Sequence, residues 1–401
     1  MSENDEETLD TLRPALGGAF AHLSDGTPVF VRHALDEERV RIRVTERTAK
    51  FARAEVMEVL SAHPGRVEPP CPHAGPGRCG GCDLQHADEA TQSAFKSRVL
   101  ADQLRRIGGL EVDVEVTGAG PARGSRTRLR CLVDDSGRLA LRQARRHDPE
   151  TLSTCYLLDE RALGAFSTRW PRGAEVEIRT FGEGDPFAVV RLDSRPLEIR
   201  DLEGTVLHPD TVSRVEVSGQ TLSVSPDSFW QSHRLAPEVL SDRVVRAWST
   251  TPSDTPVSGR VVDLFSGVGL FAHALRRAGA NEVWSVESSA SAVRDARENL
   301  GGRRGVRVFA RRVEPRTLVP LINEGDVVVC DPPRTGLTRG VAETIAEAFP
   351  ARVIYVSCDG ATFARDVRAF AEYGFRLSSL EAFDLFPLTE HLEVVGVLDR
   401  A

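Results

Sequence analysis

Beyond residue 260 the chain alternates short apolar runs with amphipathic stretches, and that rhythm leaves few folds open. Strands are expected at 261–265, 282–287, 306–309, 326–330 and 352–356, with two more near 377–383 and 392–398. Helices are expected at 270–278, 290–300 and 362–373. Strand and helix in strict alternation predict a doubly wound α/β sheet of the Rossmann-like kind. A helix at 237–248 and a surface connection at 249–258 precede it, and the domain is placed over 229–401. In such sheets ligands bind beyond the carboxyl ends of the strands, so those ends are where function is sought.

The upstream half has another texture. Residues 1–12 are acidic, polar and aperiodic, and are expected to be a disordered tail. From 13 to 61 several short β-segments separated by turn signals predict a small barrel of the OB type. One of them carries Arg39, Arg41 and Arg43 on one face, which suits a phosphate backbone or a solvated strand face equally. Residues 62–90 hold Cys71, Cys79 and Cys82 in a Gly/Pro-rich loop. Three cysteines so close form a strong metal-site signal, for zinc or for an iron–sulfur cluster. The candidates for a fourth ligand are Cys155, Cys131, His73 and His86, with Cys155 favoured because its surroundings read as a loop. A helix is expected at 91–107, ended by Gly108-Gly109, where it could pack on the catalytic domain. Residues 91–228 read as a central antiparallel α+β domain, and the arginines between 123 and 146 are its best footprint for a polyanion.

Composition narrows the partners. A net charge of -8 argues against a bulk nucleic-acid binder. Lys50 and Lys96 are the only lysines, a bias whose simplest cause is base composition, so arginine content alone says little about RNA. There is no run of eighteen apolar residues, so no membrane span is expected. The acidic amino-terminal stretch is neither a signal nor a transit peptide, which leads us to expect a cytoplasmic protein with reduced thiols.

Four strand ends collect polar residues of distinct kinds. The first runs into Asp263 and the turn of Gly267 and Gly269, which lets a ligand approach the backbone. The second ends in Glu287, placed to accept from ribose hydroxyls. The fourth ends in Asp331-Pro-Pro-Arg-Thr-Gly336, whose prolines stiffen the loop. The fifth ends in Ser357-Cys358-Asp359-Gly360, where a helix amino terminus would favour a thiolate and Thr362 could cap the helix. A free cysteine is more often a small buried hydrophobe. Downstream, His391 and Glu393 lie two apart, so in an extended segment they face the same way, and either could be a general base. Glu390 is expected to be a solvated neighbour.

The motifs DLFSGVGLF, VVVCDPPRTG, YVSCDGATFARD and FPLTEHLE, in this order, resemble the RNA uridine 5-methyltransferases of the TrmA/RlmD type. Phe229-Trp-Gln231 matches that family's Phe-x-Gln loop, and the amino-terminal barrel looks like a TRAM domain. The resemblance implies S-adenosylmethionine as cofactor, bound by Gln231, Phe265, Glu287 and Asp331 beside the glycine turn. It implies Cys358 as nucleophile, Glu393 as general base, and a 4Fe-4S cluster on Cys71, Cys79, Cys82 and Cys155. The substrate implied is RNA, ribosomal rather than transfer, handled by a monomer with no obligatory protein partner. There are departures: Asp359-Gly360 stands where the family usually has Asn-Pro, Leu270 where some members have asparagine, and Cys71 and Cys79 are slightly further apart than in some relatives. A carboxylate at 359 would raise the thiol's pKa. The competing readings are methylation of a base's exocyclic nitrogen, which needs no thiol, and a non-catalytic RNA-binding or redox-sensing homologue.

Overall fold

In a computed structural model, which describes residues 6–192, 197–208, 211–250, 259–302 and 304–400, the chain folds around three sheets and a hairpin. The connection at 249–258 falls almost wholly outside these residues. The first sheet contains β1 (Glu6–Asp10), β2 (Arg13–Ala15), β3 (Gly18–His22), β4 (Pro28–Arg32), β5 (Arg39–Arg47) and β6 (Ala52–Ser61), in the order β1-β5-β6-β4-β3-β2. Its alternating residues, such as Val29, Val31, Val40 and Ile42, are fully buried in a core of their own. Here the expectation for the 1–12 tail is corrected. Glu6–Asp10 is a strand paired antiparallel with Arg39–Arg43. Leu9 enters the core and Glu6 meets Arg43 at 2.6 Å. Arg41 likewise meets Glu58 at 2.7 Å, so this arginine face is engaged with carboxylates of its own sheet.

After the cysteine loop come α1 (Glu89–Gln103) and β7 (Val116–Gly118). The helix starts at an Asp88 cap and continues as a π-turn over Leu104–Gly108 to a left-handed Gly109, so it covers the expected 91–107 and ends at the expected glycines. The central sheet is antiparallel: β8 (Arg128–Val133), β9 (Leu139–Arg142), β10 (Pro149–Thr151), β11 (Glu175–Arg179), β12 (Phe187–Arg191) and β13 (Glu198–Arg200). A hairpin of β14 (Ser213–Val217) and β15 (Gln220–Val224) precedes α2 (Ala236–Ser249).

The catalytic sheet follows, with β16 (Arg260–Leu264), α3 (Leu270–Arg277), β17 (Glu282–Glu287), α4 (Ala290–Asn299), β18 (Val306–Ala310), α5 (Pro315–Leu318), β19 (Val327–Cys330), α6 (Val341–Glu347), β20 (Arg352–Ser357), α7 (Gly360–Ala371), β21 (Phe375–Asp384) and β22 (Glu393–Arg400). Its order is β18-β17-β16-β19-β20-β22-β21-β7. The runs VVDL, VVVC and VIYV are apolar on both faces, as strands covered by helices on both sides must be. Residues 91–228 therefore do not form one unit. Val116–Gly118 pairs in parallel with β21 as the eighth strand of the catalytic sheet, and Ser223 of the hairpin is tied to Asn299 of α4. A three-residue strand carries too little periodicity to be seen in sequence.

One glycine sets how closely these layers meet. Gly396 of β22 pairs with Tyr355 of β20, and a Cβ there would lie 2.5 Å from the Phe363 ring of α7. That ring is fully buried and stacks edge-on against Tyr355, so it has nowhere to go. Gly396→Ala should therefore destabilise the protein by about 1–3 kcal/mol, read as a lower urea midpoint at unchanged slope.

Candidate active site

The antiparallel pairing of β20 and β22 places the chemistry. Ser357 is paired with Val394, so one step further Cys358 and Glu393 face each other across the strand ends. Asp331 follows Cys330, the last residue of the neighbouring β19. Cys358 senses both carboxyls, and Glu393 senses Asp331. Burial, then the Glu393 carboxylate, pushes the Cys358 thiol up to about 12, with Asp331 and Asp359 adding and Arg334 opposing. Burial pushes the Glu393 carboxyl far above its usual range, with Asp331 adding and Arg334 opposing, and its Oε2 atom has no hydrogen-bond partner. Burial alone raises Asp331 to about 7. The expectation of a helix-favoured thiolate is thus corrected: desolvation and acidic neighbours push the thiol the other way.

The cap of that helix is also corrected. Asp359, not Thr362, caps α7, accepting from the Thr362 amide at 2.8 Å. Gly360 opens the helix directly against Leu100 and Gln103 of α1, where a Cβ would collide with both side chains. The departure from Asn-Pro therefore accommodates the close approach of α1.

The nucleotide side is built at the ends of β16 and β17. Phe265 has φ 60°, an uncommon left-handed conformation for a large side chain, and turns the backbone into the glycine loop. Gly267 donates to Glu287 Oε2 at 3.0 Å, and the other Glu287 oxygen accepts from the Ser288 and Ser289 amides. A carboxylate has about four acceptor sites, so capacity remains for hydroxyl donors. Gly269, with φ 90°, caps α3. Asp263 accepts from Ala272, and burial raises its carboxyl to about 8. Phe265 and Glu287 line a cavity of about 640 Å³ that also includes Val286, Arg311 and Thr338. Gln231 is 8% exposed. A separate cavity of about 780 Å³, lined by Arg123, Arg161, Arg234 and Trp230, lies away from Cys358.

Several positioning residues escaped sequence reasoning. Asp295 of α4 accepts from Ser225 and Ser228 at 2.5 Å each, which fixes the segment leading to Gln231. Asp366 of α7 accepts from Tyr355 Oη at 2.6 Å and from the Leu337 amide at 2.8 Å, which anchors the far end of the Asp331 loop. Polar residues on helices read as solvated in a sequence, and only tertiary structure shows which are turned inward. Glu390, expected to be solvated, accepts from the Gly17 amide of the barrel. His391 lies 3.3 Å from Arg334, and burial followed by that cation lowers it to about 4, so its imidazole is neutral.

Away from this site Cys71, Cys79, Cys82 and Cys155 are free, half-buried thiols. Burial, with Cys155 and Cys71 adding, pushes Cys79 up to about 11, and burial, with Cys155 and Cys79 adding, pushes Cys82 to about 12. Both ring nitrogens of His73 are engaged, by Glu150 and Ser153, and Cys131 is buried in the central core. Among the described residues no three His, Cys, Asp or Glu side chains are grouped to hold a single metal ion.

Residues 302–401 match the family described as tRNA (Uracil-5-)-methyltransferase, and residues 17–57 match the TRAM domain. The chain is 36% identical to an RNA methyltransferase of Streptomyces avermitilis, with 96% of each chain covered. It is 30% identical to the 23S rRNA (uracil(1939)-C(5))-methyltransferase of Pectobacterium atrosepticum, over 97% of this chain and 92% of that one. Among solved structures, the tRNA (uracil-54, C5)-methyltransferase of Pyrococcus abyssi in complex with S-adenosyl-L-homocysteine superposes with a TM-score of 0.71. At 22% identity, over 97% of this chain and all of that one, this likeness establishes a shared fold.

The raised Asp331 carboxyl has a thermodynamic consequence. The folded protein keeps a proton that the unfolded chain loses between about pH 4 and pH 7, so stability falls as pH rises through that window. Asp331→Asn removes the burial penalty, and its thermal unfolding should show a gain on the order of 2 kcal/mol over wild type at pH 8 and little change at pH 4.

Proposed function

The chain belongs to the RNA uracil-5-methyltransferase family, whose methyl donor is S-adenosylmethionine, and we propose that it methylates a specific uridine of 23S ribosomal RNA through a covalent adduct of Cys358. The observation that carries this reading is the meeting of Cys358, Glu393 and Asp331 at adjoining strand ends. Carbon 5 of uracil is a poor nucleophile until a thiolate adds to carbon 6 and makes it enolate-like. Cys358 supplies that thiolate, and Arg334 is the cation that favours it. S-adenosylmethionine supplies an electrophilic methyl group on a sulfonium. With carbon 5 methylated, Glu393 takes the carbon 5 proton, and the electron pair of the C–H bond expels the Cys358 sulfur to restore the ring. A bound sulfonium would favour the charged forms of Asp331 and Cys358 that burial disfavours. Gln231, Phe265, Gly267, Gly269, Glu287 and Asp331 form the cofactor pocket in this proposal, with Glu287 on the ribose.

Ribosomal RNA is favoured because the 23S enzyme is similar over nearly the whole of both chains. The target uridine must leave its stack to reach Cys358. No helix among the described residues is long and apolar enough to cross a membrane, and a monomeric cytoplasmic enzyme is proposed. Cys71, Cys79, Cys82 and Cys155 are free thiols that match the ligand number of a 4Fe-4S cluster, Cys79 and Cys82 both sense Cys155, and the cluster is proposed on these four. Iron binding would deprotonate them and cross-link the cysteine loop to the central domain.

Two outcomes are expected. Purified enzyme with S-adenosylmethionine and RNA from cells lacking the gene should yield 5-methyluridine by nucleoside mass spectrometry, and Cys358→Ala should yield none. A methylated nitrogen, or full activity of Cys358→Ala, would sink the thiol mechanism. Anaerobically purified protein should carry about four irons per chain, and Cys79→Ser should lose them; wild-type protein free of iron after anaerobic reconstitution would refute the cluster.

A further inference from the structure

Lys96 is one of two lysines among 51 basic residues, and it is completely buried. The other, Lys50, is exposed. Lys96 lies on α1, yet its ammonium does not serve α1. It donates to Asp384 Oδ1 at 2.6 Å and to the Phe386 carbonyl at 3.0 Å, 288 and 290 residues downstream. Asp384 is the last residue of β21 and Phe386 lies in the loop that follows it towards β22. The two ends of that loop are pinned together by the pairing of Phe383 with Glu393. Asp384 also accepts from the Phe386 amide, so the lysine closes a ring around the loop's first turn. A guanidinium is planar and broad, whereas an ammonium is a compact point charge with three donors, which suits one carboxylate and one carbonyl in a closed space.

The same helix continues the hold. Gln92 accepts from the Leu388 amide at 2.8 Å, and Leu388 is left-handed at φ 63°. The Leu388 carbonyl accepts from both Asp83 and Leu84 of the cysteine loop at 2.9 Å. Five residues on, the chain reaches Glu393. A path this unusual for a leucine persists only where its surroundings impose it.

We propose that Lys96 is a positioning residue for the methylation reaction: by gripping Asp384 and the Phe386 carbonyl it sets the course of the loop that delivers Glu393 to Cys358. This rests on Glu393 being the base that resolves the adduct. Displacing a reacting group by ~1 Å costs on the order of a hundredfold, so the grip bears on rate as well as on stability. A misplaced Glu393 leaves Cys358 free to add and methylation to proceed, but the carbon 5 proton stays and the enzyme remains bonded to RNA.

The test uses full-length holoenzyme, ribosomal RNA from cells lacking the gene, and denaturing gels that retain the covalent adduct. Three proteins are compared: Glu393→Gln, Lys96→Met/Asp384→Asn, which removes both charges together, and wild type. We expect adduct to accumulate in both variants, with the double variant's turnover down at least about tenfold and its KM for S-adenosylmethionine within about twofold of wild type. Adduct in Glu393→Gln but not in the double variant, with turnover unchanged, would overturn the positioning role while leaving the base assignment standing. A lowered thermal midpoint alone would overturn it equally. No adduct in Glu393→Gln would instead remove the base assignment, and the positioning role with it. Should the double variant fail to fold, Asp384→Asn alone, which keeps the Lys96 bond to Phe386, is read by the same criteria.

Discussion

One antiparallel strand governs this molecule. Seven strands of the eight-stranded sheet share one direction, but β22 enters between β20 and β21 from the opposite direction. Its beginning, not its end, therefore lies beside the end of β20, and Glu393 is delivered to Cys358. Had β22 run parallel, its first residue would lie at the far edge of the sheet. The pairing carries an electrostatic cost, since a thiol and two carboxyls share a dry corner with a single nearby arginine. Burial holds both carboxyls above their usual range, and Arg334 opposes it at Glu393.

The remainder of the fold serves the same corner. Asp366 holds the Asp331 loop, Asp295 holds the segment of Gln231, and Glu287 bridges the glycine loop to its own helix start. Each is a carboxylate satisfied by backbone or hydroxyl donors, so these loops are anchored by oriented bonds rather than by apolar packing alone.

Much of this was legible in the sequence, for definite reasons. Apolar runs such as VVVC and VIYV announce doubly covered strands, and glycines at strand ends announce tight turns. The failures share a cause as well. Glu6–Asp10 is polar because its strand sits at an edge, Val116–Gly118 is too short for periodicity, and Glu390 reads as solvent-facing because nothing local shows that the barrel's Gly17 amide awaits it. The arginines of β5 looked ready for phosphate because their partners, Glu6 and Glu58, lie on other strands. In every case the deciding contact is remote in sequence, and local pattern cannot carry it.

The distance between Lys96 and the loop it grips has an outcome for biosynthesis. The barrel, the cysteine loop and α1 emerge from the ribosome long before residue 384 is made, and domains generally fold in order of emergence. Their half of the grip thus stands assembled while a buried lysine and two amides still lack their acceptors and a glutamine lacks its donor. Translation of the 384–393 stretch both satisfies those groups and completes the catalytic corner. A nascent chain short of that point lacks Glu393 and the anchors of its loop, so the corner that holds Cys358 is complete only once synthesis has carried the chain past them.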